Sequence, residues 1–292
     1  MLLSQPGILE NVTSAGRYVA FTLNHDADPQ PLIKLLPDII DVASTVTGFG
    51  VPLLSALEVV IPGLTVFPSM AGRGIAIPST QAALWCWLRG DDRGDLVLKT
   101  LDLENRVSHI MHVSDVIDAF KYRDSRDLTG YIDGTENPQG DDAVPVAFVT
   151  EGPSGIKGSS YVAVQQWVHD LDYFHTQTQD EQDYIFGRRK SDNEEIDGAP
   201  VTAHVKRTAQ ESFDPEAFIV RRSMPWSDTD GQGLVFVAFG HSLAAFETLL
   251  KHMIGLDDGH VDSLFRFSRP ITGGYYWCPP IKNGKLDLTA LG

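Results

Sequence analysis

The run "GLVFVAFG" at 233–240 is followed, after one histidine, by "SLAAFETLLKHMIG" at 242–255. Eight uncharged residues bounded by glycines suit a central strand buried on both faces. In the second segment Leu243, Phe246, Leu249, Leu250, Met253 and Ile254 recur at the spacing of one helical face, and Gly255 stands where a helix terminator is wanted. A buried strand that feeds an amphipathic helix needs a sheet with a helix layer on it.

The rest of the chain offers parts for more than one such unit. "RYVAFTLNH" (17–25) has the β-branched and aromatic density of a strand, and "PLIKLLPDIIDVASTV" (31–46) reads as a helix with Pro37 as its weak point. "DLVLKTLDL" (95–103) reads as a strand, and "VSDVIDAFKY" (113–122) as a helix with Val113, Val116, Ile117 and Phe120 on one stripe. The turn-rich segment 130–143 and the Pro/Gly-rich 144–160 form an interdomain passage. "SSYVAVQQWVHD" (159–170) is a strand, and Thr178 with Glu181 has capping-box spacing, so a helix begins there. Each half thus repeats strand and helix elements. The expected class is α+β, duplicated units with helices on mostly antiparallel sheets.

Charge narrows the partners. With 23 basic and 39 acidic residues among 292, the net charge of −16 opposes phosphate-tracking and anionic surfaces, so neither nucleic acid nor membrane is expected as a partner. "MLLSQPGILE" has neither the basic segment nor the apolar run of a signal peptide, and Cys86 and Cys278 cannot supply a disulfide framework. A reducing cytoplasm is the plain expectation; a cargo inside a larger shell has the same composition.

Several residues have two readings. Asp133 in "GYIDGTENPQG" (130–140) is either a turn residue bonding its own backbone or a carboxylate presented by a stiff loop for proton transfer or metal binding. His204 in "PVTAHVKRT" is either a satisfied histidine or a ligand whose second nitrogen is held by a carboxylate, with Asp262 as candidate partner. Arg221 and Arg222, like Arg188 and Arg189, are either solvated pairs or donors to an anion in a pocket. The other histidines show no HExxH or CxxCH pattern. The aromatic residues Trp167, Trp226, Tyr275, Tyr276 and Trp277 are core or redox relay.

Taken together, "GYIDGTENP", with Gly-x-x-Asp-Gly from Gly130 to Gly134, "GRRKSDNEEIDG", "AHVKRT", "IVRRSMPW" and "LFRFSRPITGGYYWCPP" resemble the dye-decolourising peroxidases. The likeness is to the compact bacterial B-type branch of this haem family of the dimeric α+β barrel superfamily. It implies two ferredoxin-like units with antiparallel sheets and peripheral helices: an N-terminal domain, 1–148, carrying the aspartate loop, and a C-terminal haem-binding domain, 149–292.

It implies non-covalent haem b, with His204 as the proximal iron ligand, Asp262 behind it, and Asp133 and Arg221 as the distal pair. Gly134 and Ser223 lie near the haem, Arg188 pairs with a propionate, and Glu195 matches an acidic position near an oxidant channel. Many B-type relatives carry asparagine where this chain has Ser223, a single hydroxyl in place of an amide donor and acceptor.

The implied activity is reduction of hydrogen peroxide to water, through a ferryl intermediate, with oxidation of dyes, phenolics or other small reductants. A homo-oligomer and an encapsulating shell are expected partners. The rival readings are porphyrinogen oxidation, haem-iron handling and a non-enzymatic haem carrier.

Overall fold

A computed structural model describes residues 3–292 of the chain. In the N-terminal half, β1 (Ala15–Leu23) leads to α1 (Leu32–Ile39), β2 (Thr45–Phe49) and α2 (Val51–Ala56). A short hairpin of β3 (Met70–Gly72) and β4 (Ile75–Ile77) precedes β5 (Leu84–Gly90), α3 (Arg93–Val107) and β6 (Met111–Phe120). The passage to the second half contains α4 (Ala143–Ala147). There β7 (Ser160–His169) is followed by α5 (Leu171–Thr176), α6 (Gln179–Phe186) and α7 (His204–Arg207). Then come β8 (Val220–Arg221), β9 (Met224–Ser227), β10 (Gln232–Gly240), α8 (Ala244–Met253), β11 (Ser268–Pro270) and β12 (Gly274–Cys278). A final hairpin joins β13 (Ile281–Lys282) and β14 (Lys285–Leu286).

The strands pair antiparallel in the order β12-β2-β5-β1-β6-β9-β10, and β7 bonds both β10 and β12, so the sheet closes on itself. Strand β11 continues the β12 edge along β7, and β8 continues β9 along β10. Each half is a β-α-β-β-α-β unit of ferredoxin-like strand order, and the two make one barrel ring. Closure leaves fewer free edges for another chain to pair with.

Alternation along the strands separates two cores. Tyr18, Trp85, Trp87, Val235, Phe239 and Tyr276 fill the barrel with Met224 and Trp226. Their neighbours Val19, Phe21, Cys86, Leu88, Tyr275 and Trp277 face outward and pack under helices with Leu36, Leu96 and Leu249. β10 is therefore apolar on both faces, as its unbroken apolar run predicts.

Three sequence expectations are corrected. Segment 95–103 is not a strand but the middle of α3: Asp92 caps it by accepting from the Gly94 and Asp95 amides at 2.7 and 3.2 Å. Leu96, Thr100, Leu103 and Val107 form its buried face, while Leu98 and Leu101 are exposed. Segment 113–122 is not a helix but lies mostly in β6. Its register against β1 slips between Ala20 and Phe21, a bulge that leaves Ser114 unpaired in the ladder. The extra residue puts Val113 and Val116 on the same sheet face and so imitates helical spacing. The helix read over 31–46 stops at Ile39, two residues after Pro37, and Thr45 already belongs to β2.

Candidate active site

One cleft opens on the outer face of the C-terminal half, between β7 and β10 on one side and α7 and α8 on the other. Gln165, Trp167 and His169 of β7 reach it because alternate residues share a sheet face. Leu234 and Phe236 of β10 and Phe246, Leu249, Leu250 and Met253 of α8 make it apolar. His204, Asp133, Arg221, Arg188 and Glu195 line the same space, although they lie up to 88 residues apart in sequence.

His204 opens α7, and its Nδ1 lies 2.7 Å from Asp262 Oδ2. The Asp262 side chain is fully buried, and its Oδ1 accepts from the Leu264 amide at 2.8 Å. With both carboxylate oxygens engaged, Nδ1 is the protonated nitrogen and Nε2 is left as the basic one. Arg207, one turn on, is buried and binds Asp258 in bidentate fashion at 2.8 Å and the His252 carbonyl at 2.6 Å. This fork locks the four-residue α7 against the end of α8. The Arg207 partnership holds the Asp258 carboxyl well below the usual carboxylate range.

Asp133 sits in a loop tied back by its own amide to the Ser125 carbonyl at 3.1 Å and by the Arg126–Ile132 bridge. Arg221 Nη1 stands 3.7 Å from Asp133 Oδ1: too far for a hydrogen bond, close enough for charge attraction. Arg221 Nε is buried without a hydrogen-bond partner among the described residues, as are Gln165 Nε2 and Trp167 Nε1. Arg222 turns the other way, donating to the Leu9 and Arg221 carbonyls. Burial, with Arg89 nearby, pulls its pKa down to about 10. The arginine pair thus splits into one cleft residue and one structural residue.

Arg188 lines the cleft, whereas Arg189 pairs with Asp192 on the surface. Arg188 is ion-paired with Glu136, lies 3.9 Å from Glu195, and donates to the Asn193 carbonyl. Glu195 in turn meets Lys206 at 2.5 Å. Ser223 is not on the cleft wall; it borders a small adjoining recess with Asp133, Met224 and Leu234, and its hydroxyl accepts from the Val237 amide at 3.4 Å. Gly134 also lies off the cleft wall.

Two features escaped the sequence. Asn137 clamps the aspartate loop to β8, accepting from the Arg221 amide at 2.8 Å and donating to the Arg221 carbonyl at 3.0 Å. Gly134 has φ +80°, and a Cβ there would lie 2.8 Å from Asn137 Nδ2, so the glycine makes room for the clamp. The asparagine before Pro138 was the available signal. The second is a buried row on the cleft wall: His169 Nδ1 lies 2.7 Å from Ser268 Oγ, and Nε2 lies 3.1 Å from Asp127 Oδ2. No local pattern links residues 127, 169 and 268.

The Dyp-type peroxidase C-terminal family model matches residues 124–283, more than half of the chain. The chain belongs to the Dyp-type peroxidase family. A dye-decolorizing peroxidase of Brevibacterium linens is 31% identical over 82% of this chain and 67% of its own length. A variant of Rhodococcus jostii RHA1 DypB in complex with heme superposes with a TM-score of 0.85 at 25% identity, covering 96% of this chain and 97% of that one. The encapsulated DyP-type peroxidase of Mycobacterium smegmatis does so with a TM-score of 0.84 at 26% identity, covering 96% of each chain. The matched region of this Dyp-type peroxidase contains Asp133, Arg188, His204, Arg221 and Asp262. Its activity is that of a peroxidase.

Proposed function

We propose that this Dyp-type peroxidase binds haem b non-covalently and reduces hydrogen peroxide to water while oxidising small reductants, dyes and phenolics among them. One observation carries the reading: a single apolar cleft holds a carboxylate-backed imidazole, His204, together with the Asp133–Arg221 pair. The residues present fit an iron porphyrin. Its flat apolar ring matches the Leu and Phe walls, its carboxylates match arginines, and its iron takes an imidazole. Neither Cys86 nor Cys278 lines the cleft, which supports attachment without thioether bonds.

Bound there, the iron porphyrin would supply the redox centre at which the peroxide bond is cleaved. His204 is the assigned ligand through Nε2. Asp262 holds the ring in the required tautomer and makes it more electron-rich. Asp133 takes the proton from one peroxide oxygen and returns it to the other as that oxygen leaves as water. Arg221 stabilises the negative charge that builds on the leaving oxygen. The 3.7 Å gap lets Asp133 keep its carboxylate free for the proton while Arg221 holds it in place.

The balance is one peroxide and two one-electron donors, each also releasing a proton, giving two waters. Arg188 is assigned to a propionate, shared with Glu136 and Glu195. Gly134 and Ser223 act less directly, through the shape of the loop and the floor beneath Asp133. Free, buried cysteines support a reducing compartment, and the cytoplasm is the proposed location. A shell partner is put forward from the encapsulated M. smegmatis neighbour.

The test is to load the full chain with haemin, record its absorption spectrum, and mix it rapidly with peroxide. Asp133→Asn is expected to leave the resting spectrum unchanged and slow the peroxide reaction by about 10²–10⁴-fold. An unchanged rate removes Asp133 as the proton carrier.

A further inference from the structure

Of the aromatic residues weighed as redox relays, Trp167 lines the cleft, whereas Trp226, Tyr275, Tyr276 and Trp277 do not. The cleft wall also carries a tyrosine outside that set, Tyr131, two positions before Asp133. Its ring stacks on Phe186, another cleft residue, with centroids 3.9 Å apart and planes 18° from parallel. Tyr131 is only 4% exposed, yet electron transfer needs close approach and not solvent access.

Its hydroxyl sets it apart, donating to Asp183 Oδ1. The same oxygen accepts from Gln179 Nε2 at 2.7 Å and from the Lys190 amide at 3.1 Å, so α6 and the loop after it fix the carboxylate against the phenol. Burial and the Asp183 carboxylate push the Tyr131 pKa up, so the phenol holds its proton at rest. An oxidised phenol is a strong acid, and here a carboxylate already accepts from it. The Lys190 ammonium lies 5.4 Å from the ring centroid and repels positive charge there. Both groups favour a neutral ring over a cation after oxidation. Trp167 lacks such an outlet. Its Nε1 is buried without a hydrogen-bond partner among the described residues, so an indole cation would stay charged in an apolar wall. Tyr161 donates to the Pro62 carbonyl, which takes no proton.

We propose that Tyr131 is a redox-active residue of the peroxidase reaction, with Asp183 as its proton acceptor. One electron passes from the Tyr131 ring to the peroxide-oxidised centre in the cleft, and the O–H bond breaks as the proton moves to Asp183 Oδ1. A neutral tyrosyl radical and a protonated carboxyl result. One electron from a reductant, with return of the proton, restores both groups. The phenol thus stores one of the two oxidising equivalents that a peroxide molecule delivers. The oxidant comes from the proposed haem peroxidase function, on which this assignment rests.

Freeze-quench electron paramagnetic resonance tests it on the haem-loaded full chain, mixed with peroxide in the absence of reductant, with absorption spectra recorded in parallel. A tyrosyl signal is expected that narrows with ring-deuterated tyrosine and appears more slowly in heavy water. Tyr131→Phe should lose it. Asp183→Asn, which removes the proton acceptor, should lower its yield severalfold. A tyrosine that serves only as a structural anchor would leave the signal in place in both variants, whose folding and haem content are checked by circular dichroism and absorption. A signal kept in Tyr131→Phe overturns the proposal, as does an undiminished signal in Asp183→Asn. If Tyr131→Phe does not fold, the Asp183→Asn yield and the heavy-water delay in the wild type decide. A wild-type absorption band that responds to peroxide without a tyrosyl signal overturns this assignment alone. A band that does not respond overturns the peroxidase reading and the role of Tyr131 with it, so the two failures are distinguishable.

Discussion

Helices α3 and α8 occupy the same position in the two halves, yet one closes a core and the other walls a void. The buried face of α3 (Leu96, Thr100, Leu103 and Val107) packs on the outer face of its sheet. The buried residues of α8 (Phe246, Leu249, Leu250 and Met253) all line the cleft, and the first three also join the outward core. The second half departs from the first by what it inserts between its first two strands. There α6, the loop that follows it and α7 stand beside α8, pinned by the Arg207–Asp258 fork. A duplicated scaffold thus keeps one copy for stability and opens the other for chemistry: α8 still packs on its sheet through Phe246, and the inserted segment builds the rest of the cleft beside it.

The strongest way to break this contrast is His204→Ala. It should abolish or severely weaken haem binding and the histidine-ligated absorption band in a chain that still folds, with a lowered unfolding midpoint because buried Asp262 Oδ2 loses its partner. Retention of the band would show that the cleft holds its cofactor by other means.

Paired truncations of the two helices come next. Leu103→Ala in α3 should cost about 2–5 kcal/mol in denaturant unfolding and leave haem affinity untouched. Leu249→Ala in α8, a core residue that also lines the cleft, should destabilise the haem-free chain and in addition weaken haem retention. Equal haem affinity in the two variants would erase the distinction between the closed and the open layer.

Asn137→Ala sharpens the contrast within the cleft. It removes two hydrogen bonds between the aspartate loop and β8, so stability should fall by about 1–3 kcal/mol. The peroxide rate should drop with the resting spectrum retained, since the Asp133–Arg221 spacing is no longer held.

The smallest effect concerns acid. Burial alone would raise the Asp127 pKa, but His169 and the hydrogen bonds from His169 and Thr129 outweigh it and hold it below the usual value. A depressed carboxylate stabilises the fold above its unfolded pKa, near about 4, and that stabilisation is lost as pH falls through the folded value. Melting temperature should therefore decline below about pH 4, and Asp127→Asn should flatten the decline. The same slope in wild type and variant would detach Asp127 from acid stability.

Much of this was legible in the residues. The capping box at Thr178 and Glu181 forms as its spacing predicts, and β10 with α8 follows the apolar run and stripe that specify them. The two exchanged assignments, α3 and β6, failed for local reasons. Leu98 and Leu101 add exposed apolar residues that blur the helical face of α3, and the Ser114 bulge breaks the alternation of β6. The motif residues His204, Asp133 and Arg221 were recognisable as types. Their pairing, His204 with Asp262 and Asp133 with Arg221, came only from the family resemblance.

By itself the sequence determined most element types, α3 and β6 excepted, and the family, since these depend on neighbours within a few residues or on matched motifs. Only the tertiary structure decided the 2.7 Å contact between residues 204 and 262, that Arg221 faces in while Arg222 faces out, and that Asn137 joins the loop to β8. The physical reason is separation. Contacts 58 and 84 residues apart form only once the ring closes and the inserted helix is pinned, and no local pattern encodes that closure.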